Sequence, residues 1–117
     1  MLKIPLIIAA LSGALAVGLG AFGAHALKEH VSPERLDTYQ TASLYHFIHT
    51  LVLLFCALRP EFKWSFYLFG IGLLLFSGSL YALVLTDTPK LGIITPFGGL
   101  ILIAGWLALA YAAYQKF

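Results

Sequence analysis

The chain has 117 residues, of which 61% are hydrophobic and only 10% charged. A soluble domain carries roughly 25% charged residues, so these few polar groups cannot coat a water-exposed globule, and the chain is expected in a bilayer. Seven cations and five anions sit in short connections or near the ends, give a formal charge of +2, and form no basic patch that would hold nucleic acid.

The first apolar run, Ile4–Leu27, carries no charge. Lys3 before it and Ala24-His25-Ala26 at its end imitate a secretory signal, but the run is longer than the ~7–15 apolar residues of such a segment. It is therefore expected to be a retained transmembrane helix. In "HVSPERLDTYQ", Ser32 is a good N-cap, Pro33 suits the first helical position, and Glu34 favours the positive end of the helix dipole. A second helix is predicted from residue 33 to about 58. It meets lipid near Thr41, leaving Arg35, Asp37 and Gln40 in the headgroup zone and carrying His46 and His49 inward. A third span runs from about 65 to 85. Proline disfavours helix at the residue before it, so Thr95-Pro96 predicts a fourth helix over 96–116, with Leu91–Ile94 folded back as non-helical backbone; the alternative is a helix from Leu91 kinked at Pro96. Some 20 residues at 1.5 Å each suffice to cross.

Short connections make sequential helices antiparallel neighbours. The expectation is an all-α, single-domain protein over residues 1–117, an antiparallel four-transmembrane-helix bundle. With both termini in the cytoplasm, Lys3, Arg59, Lys63 and Lys116 lie inside and Lys28, Arg35 and Lys90 outside, a small excess in the sense of the positive-inside rule. The localisation expected is the cytoplasmic membrane.

Leucine gains nothing by leaving lipid for another helix, so membrane helices associate through close contact of small residues. Ala16, Gly20 and Ala24 recur every four residues, and Gly13 and Gly20 are seven apart. In the third span Gly70 pairs with Ser77 and Gly72 with Ser79, again at seven. Gly98, Gly105 and Ala112 continue the pattern in the fourth. Seven-residue repeats predict a tight, left-handed bundle. Gly20 and Gly23 would admit a neighbour that covers His25.

The polar side chains of the spans collect toward one face. His25 lies within about one turn of it, His46 and His49 two to three turns down, and Ser77, Ser79 and Tyr81 at similar depth, with Thr95 at the rim. Polar groups inside a membrane mark a functional site by default. Three readings stand side by side: hydrogen-bonding glue between helices, a pocket for a lipid headgroup or small amphiphile, and a histidine-bound metal or redox site. The last is weakened by the lack of a carboxylate in the spans. No Ser-His-Asp set and no phosphate loop is present, so no catalytic residue, cofactor or metal is assigned. Cys56 is alone and cannot form an intrachain disulfide.

Taken together, "GAFGAH", "YHFIH", "LFSGSLY" and "TPFGGLILIAGW" resemble the small membrane proteins grouped as domain of unknown function 423, also called the transmembrane protein 256 family. The resemblance spans nearly the whole chain. It implies a four-helix integral membrane protein and no known reaction. Carried over residue by residue, it points at Gly20, Gly23, His25, Tyr45, His49, Ser77, Gly78, Ser79, Tyr81, Thr95, Pro96, Gly98, Gly99, Gly105 and Trp106. The reading favoured is a pocket near the extracytoplasmic face formed by His25, Tyr45, His46, His49, Ser77, Ser79, Tyr81 and Thr95. Gly13, Ala16, Gly20, Gly23, Ala24, Gly78, Gly98, Gly99 and Gly105 are assigned to packing. The alternatives are a structural partner, through a homo-oligomer or another membrane protein, and the metal site.

Overall fold

The computed structural model describes residues 2–117. Four long helices follow one another: α1 (Lys3–His25), α2 (Pro33–Ala57), α3 (Lys63–Thr86) and α4 (Thr95–Lys116). Single 3-10 turns at Leu27–Glu29, Pro60–Phe62 and Pro89–Ile93 join them. All four are long and apolar enough to cross a membrane. Large apolar side chains such as Leu11, Leu74 and Leu107 cover the outer surface, a contiguous apolar exposure that only lipid makes favourable.

Local chemistry sets the helix ends. Ser32 is extended (φ −66°, ψ 160°), and its Oγ accepts the Arg35 backbone N–H at 3.2 Å. α3 stops at Asp87, which adopts the left-handed conformation (φ 51°, ψ 50°), and the Thr88 N–H closes the turn on the Leu83 carbonyl at 3.0 Å. The start of α4 differs from the expectation. Thr95 lies inside the helix rather than capping it, and residues 91–93 form a 3-10 turn rather than irregular backbone. The Thr95 hydroxyl bonds Ser79 of α3 at 2.6 Å and makes no cap to α4.

Packing follows chain order: α1 rests on α2, α2 on α3, and α3 on α4. Among the described residues the α1 backbone approaches neither α3 nor α4. α1 and α3 thus flank one side of α2 and leave a groove between them.

Small residues set these contacts. The buried residues of α1 are Ala9, Ala16 and Gly23, spaced by seven. Gly13 meets Thr50 at 3.6 Å and Gly20 meets Phe47 at 3.4 Å, both ordinary contacts for an added Cβ. At Gly23 a Cβ would run into the Tyr39 ring. α3 and α4 come closer still. A Cβ on Gly98 would strike the Phe76 backbone nitrogen, one on Gly72 would lie 2.9 Å from the Leu102 nitrogen, and one on Gly105 would lie 2.8 Å from the Phe69 ring. Gly99 touches Phe76 at 3.7 Å. Two packing assignments need correction. Ala24 is exposed, because the α1 seam runs through residues 9, 16 and 23 and turns 24 outward. Gly78 has nothing within 4 Å of a Cβ, because it borders the α1–α3 groove.

Two apolar clusters result. One, toward the termini, contains Phe62, Phe66 and Phe69; the other, toward the α1–α2 and α3–α4 connections, contains Tyr39, Leu80 and Val84. At the terminal rim Arg59 Nε donates to Glu61 at 2.6 Å, with Lys116 Nζ 4.0 Å from the other carboxylate oxygen. That hydrogen bond holds the Glu61 carboxyl below the ordinary range of a carboxylate.

Candidate functional site

The middle of the bundle, between the two apolar clusters, holds a connected set of polar side chains. His46 is its hub. Its Nδ1 lies 2.9 Å from the Tyr81 hydroxyl of α3, and its Nε2 lies 3.1 Å from Ser12 Oγ of α1. Ser12 continues to Thr50 Oγ1 at 2.7 Å. Two proton arrangements satisfy this chain with a neutral imidazole. In one, Tyr81 donates to Nδ1, Nε2–H donates to Ser12, and Ser12 donates to Thr50. In the other, every donor and acceptor from Thr50 to Tyr81 is reversed. A satisfied buried network of this kind holds α1, α2 and α3 in one register, because leaving a partner unpaired costs about 1–3 kcal/mol.

His49 sits one turn further along α2 and faces another neighbour. Its Nδ1–H donates to the Tyr45 carbonyl at 2.9 Å, and its Nε2 accepts the Trp106 indole N–H of α4 at 3.2 Å. Carbonyl oxygen only accepts and indole nitrogen only donates, so the ring is the neutral Nδ1–H tautomer. Its single lone pair is engaged. Tyr45 stacks on the same ring at 5.8 Å and meets Phe76 at 4.5 Å. Phe69 and Trp106 close the cluster, their rings 5.1 Å apart.

Three other buried hydroxyls are bonded, while Ser65 Oγ, also buried, has no partner among the described residues. Ser77 Oγ donates to the Ala42 carbonyl at 2.8 Å, linking α3 to α2. Ser79 Oγ donates to the Phe76 carbonyl at 3.0 Å, which leaves its oxygen to accept from Thr95. Tyr39 donates to the Leu19 carbonyl of α1 and packs edge-on against Tyr81 at 5.2 Å.

The structure therefore does not join the eight predicted pocket residues. His46 and Tyr81 belong to one network, His49 and Tyr45 to a second, Ser79 and Thr95 to a third, and Ser77 to a separate bond with the Ala42 carbonyl of α2. His25 belongs to none of them. It is exposed at the end of α1 and makes no side-chain hydrogen bond among the described residues. His49 lies 16 residues past the start of α2, about 24 Å along its axis, far from the rim where His25 stands. The three-residue spacing that suggested a shared pocket for His46 and His49 instead aims them at α1 and α3 on one side and α4 on the other. Among the described residues no three His, Cys, Asp or Glu side chains converge as metal ligands would.

Ser12 and Thr50 escaped the sequence reading. A lone hydroxyl inside an apolar run has no spacing signature, and only the antiparallel pairing of α1 with α2 brings the two together. Trp106 was carried over by resemblance alone; its indole N–H supplies the physical role.

Over the Ser12–His46–Tyr81 chain lies the α1–α3 groove, about 440 Å³ in volume. Ile8, Leu11 and Leu15 form one wall and Ile71, Leu74 and Gly78 the other. The walls are open on the outside: Leu11 is 65% exposed and Leu74 75%. The polar atoms at the base already have partners within the protein, so the groove offers an apolar surface.

A family described as "Protein of unknown function (DUF423)" matches residues 19–99. The UPF0382 membrane protein SAB0533 of Staphylococcus aureus is 40% identical to this chain over 119 residues, covering 97% of this chain and 98% of that protein. The UPF0382 membrane protein YwdK of Bacillus subtilis is 38% identical over 121 residues, with coverage of 97% and 98%. The UPF0382 inner membrane protein YgdD of Escherichia coli is 39% identical over 116 residues, covering 94% and 88%. No solved structure matches. With four spans of the required length, small residues at the helix seams and relatives aligned end to end, this chain is an integral membrane protein of the DUF423 family.

Proposed function

We propose that the protein binds a lipid or small amphiphile by its hydrocarbon chain, in the groove between α1 and α3. The observation that carries this reading is the pairing of a 440 Å³ apolar channel with Gly78 on its wall, where a Cβ would meet nothing within 4 Å. Ligand sites commonly measure about 300–1,000 Å³ and are mostly apolar. The polar groups at the base support a chain rather than a headgroup as the occupant, since Ser12, His46, Ser77 and Tyr81 are all bonded inside the protein. On this reading the network is the clasp that fixes the groove's width.

Native mass spectrometry of protein released from bilayers tests it. Gly78→Leu adds a side chain to open space and should lower the amount of retained lipid without lowering thermal stability. Equal retention by Gly78→Leu and the unmodified protein contradicts the reading.

A second reading has one observation in its favour. Among the described residues the α1 backbone approaches α2 but not α3 or α4, and Ala10, Ala14 and Gly18 are exposed, with nothing within 4 Å of a Gly18 Cβ. A partner helix could dock there through small residues. Crosslinking from Gly18→Cys in native membranes distinguishes this from lipid contact.

A further inference from the structure

At the rim that carries the α1–α2 and α3–α4 connections lies a second concavity, about 740 Å³, lined by Phe22, His30, Arg35, Leu85 and Asp87 among others. It shares one face of α1 and one face of α3 with the groove. Ile8, Leu15 and Phe22 are spaced by seven on α1, and Ile71, Gly78 and Leu85 are spaced by seven on α3. Residues seven apart share a helix face. The first two of each triplet line the groove and the third lines the rim pocket. From Leu85 to Ile71 is about 21 Å along α3, more than the ~15 Å half-thickness of a bilayer's hydrocarbon core.

The charges of this pocket are paired. Arg35 Nη2 lies 3.3 Å from Asp87 Oδ1, with the carboxylate largely exposed. Asp87 is placed against local preference. Its left-handed conformation is usually taken by glycine, and a carboxylate is disfavoured at a helix C-terminus. Arg35 retains N–H donors beyond this contact and Asp87 retains lone pairs.

We infer that the rim pocket seats the headgroup of a phospholipid carrying a primary ammonium, of the phosphoethanolamine type, with Arg35 bonding the phosphate and Asp87 the ammonium. The inference rests on the groove reading, since the same lipid's chain runs down between α1 and α3. Charge complementarity selects the headgroup. A purely anionic head would satisfy Arg35 and be repelled by Asp87. A choline head cannot donate an N–H to Asp87, and the pocket lacks the cage of aromatic faces that binds quaternary ammonium.

The test offers the full chain an equimolar mixture of phosphatidylethanolamine, phosphatidylglycerol and phosphatidylcholine with identical acyl chains, read by native mass spectrometry. The unmodified protein should retain the ethanolamine lipid over the other two by roughly tenfold, the ratio that one charge-assisted hydrogen bond can supply. Asp87→Asn and Asp87→Gly both tolerate the left-handed backbone, so they keep the fold. Each should abolish that preference while total retained lipid stays the same. Arg35→Gln should lower retention of both phosphoethanolamine and phosphoglycerol lipids. Gly78→Leu separates the two claims by lowering total retention without changing the ratio. Retention of all three lipids alike, an Asp87→Asn ratio equal to that of the unmodified protein, or no retained lipid at all overturns the headgroup assignment. Loss of the ratio effect with the Gly78→Leu effect intact leaves the groove reading standing by itself.

Discussion

The Trp106 indole N–H donates to His49 Nε2 at 3.2 Å, across the space between α4 and α2. The bond fixes a tautomer as well as a contact, because the other ring nitrogen donates to the Tyr45 carbonyl at 2.9 Å. An imidazole held this way has no free lone pair and acts as a bracket between two helices.

Nitrogen-15 NMR of histidine-labelled protein should therefore show His49 as the neutral Nδ1–H tautomer. Trp106→Phe removes the donor and should cost about 0.6 kcal/mol of stability as a typical interhelical bond in a membrane does, while the Tyr45 carbonyl still keeps the proton on Nδ1. An Nε2–H signal in the unmodified protein would contradict the geometry.

The α3–α4 seam is the most sensitive to added volume. Gly98→Ala would push a methyl group into the Phe76 backbone, and backbone cannot rotate away as a side chain can. A loss of roughly 1–3 kcal/mol is expected, the usual cost of overpacking, measured by unfolding in mixed micelles. Gly18→Ala, with open space around it, should be neutral. Equal effects at the two glycines would disprove the seam.

Ser12, His46 and Tyr81 should behave as one unit. Ser12→Ala and Tyr81→Phe each break one bond to His46, at 3.1 Å and 2.9 Å. A double-mutant cycle should give a coupling energy above the ~0.3–0.5 kcal/mol scatter of independent sites. Strict additivity would show that the imidazole does not link them.

Thr95 offers a direct contrast between capping and bridging. If its hydroxyl bridges to Ser79, then Thr95→Val and Ser79→Ala should destabilise by similar amounts, each on the order of 1 kcal/mol, and the double variant by little more. If Thr95 instead caps α4, its cost persists in the Ser79→Ala background. Thermal melts of the four proteins decide between them.

Much of the architecture was legible from residues alone. Runs of apolar residues separated by short charged connections set the number and order of helices. Ser32-Pro33 placed the start of α2 because a cap is a local device that acts within one turn. The polar site was far less legible. Spacing gives the angle between His46 and His49 on their helix, but which neighbour each meets depends on how α2 is rotated, and that is decided by contacts distant in sequence, such as Ala9, Ala16 and Gly23 against α2. His25 shows the same limit. Glycines before it allow a close approach, yet it is Tyr39 that packs on Gly23, and His25 is left outside.

Lipid binding of the proposed kind requires an occupied α1–α3 groove. A phospholipid bearing a photoreactive group near the end of one acyl chain, incorporated into bilayers with the full chain and mapped by peptide mass spectrometry, addresses it directly. Adducts should concentrate on Leu11, Leu15 and Leu74, which border the groove, over Ile103 and Leu107, which are equally exposed on α4. Labelling spread evenly over all these outward-facing residues would contradict a bound chain.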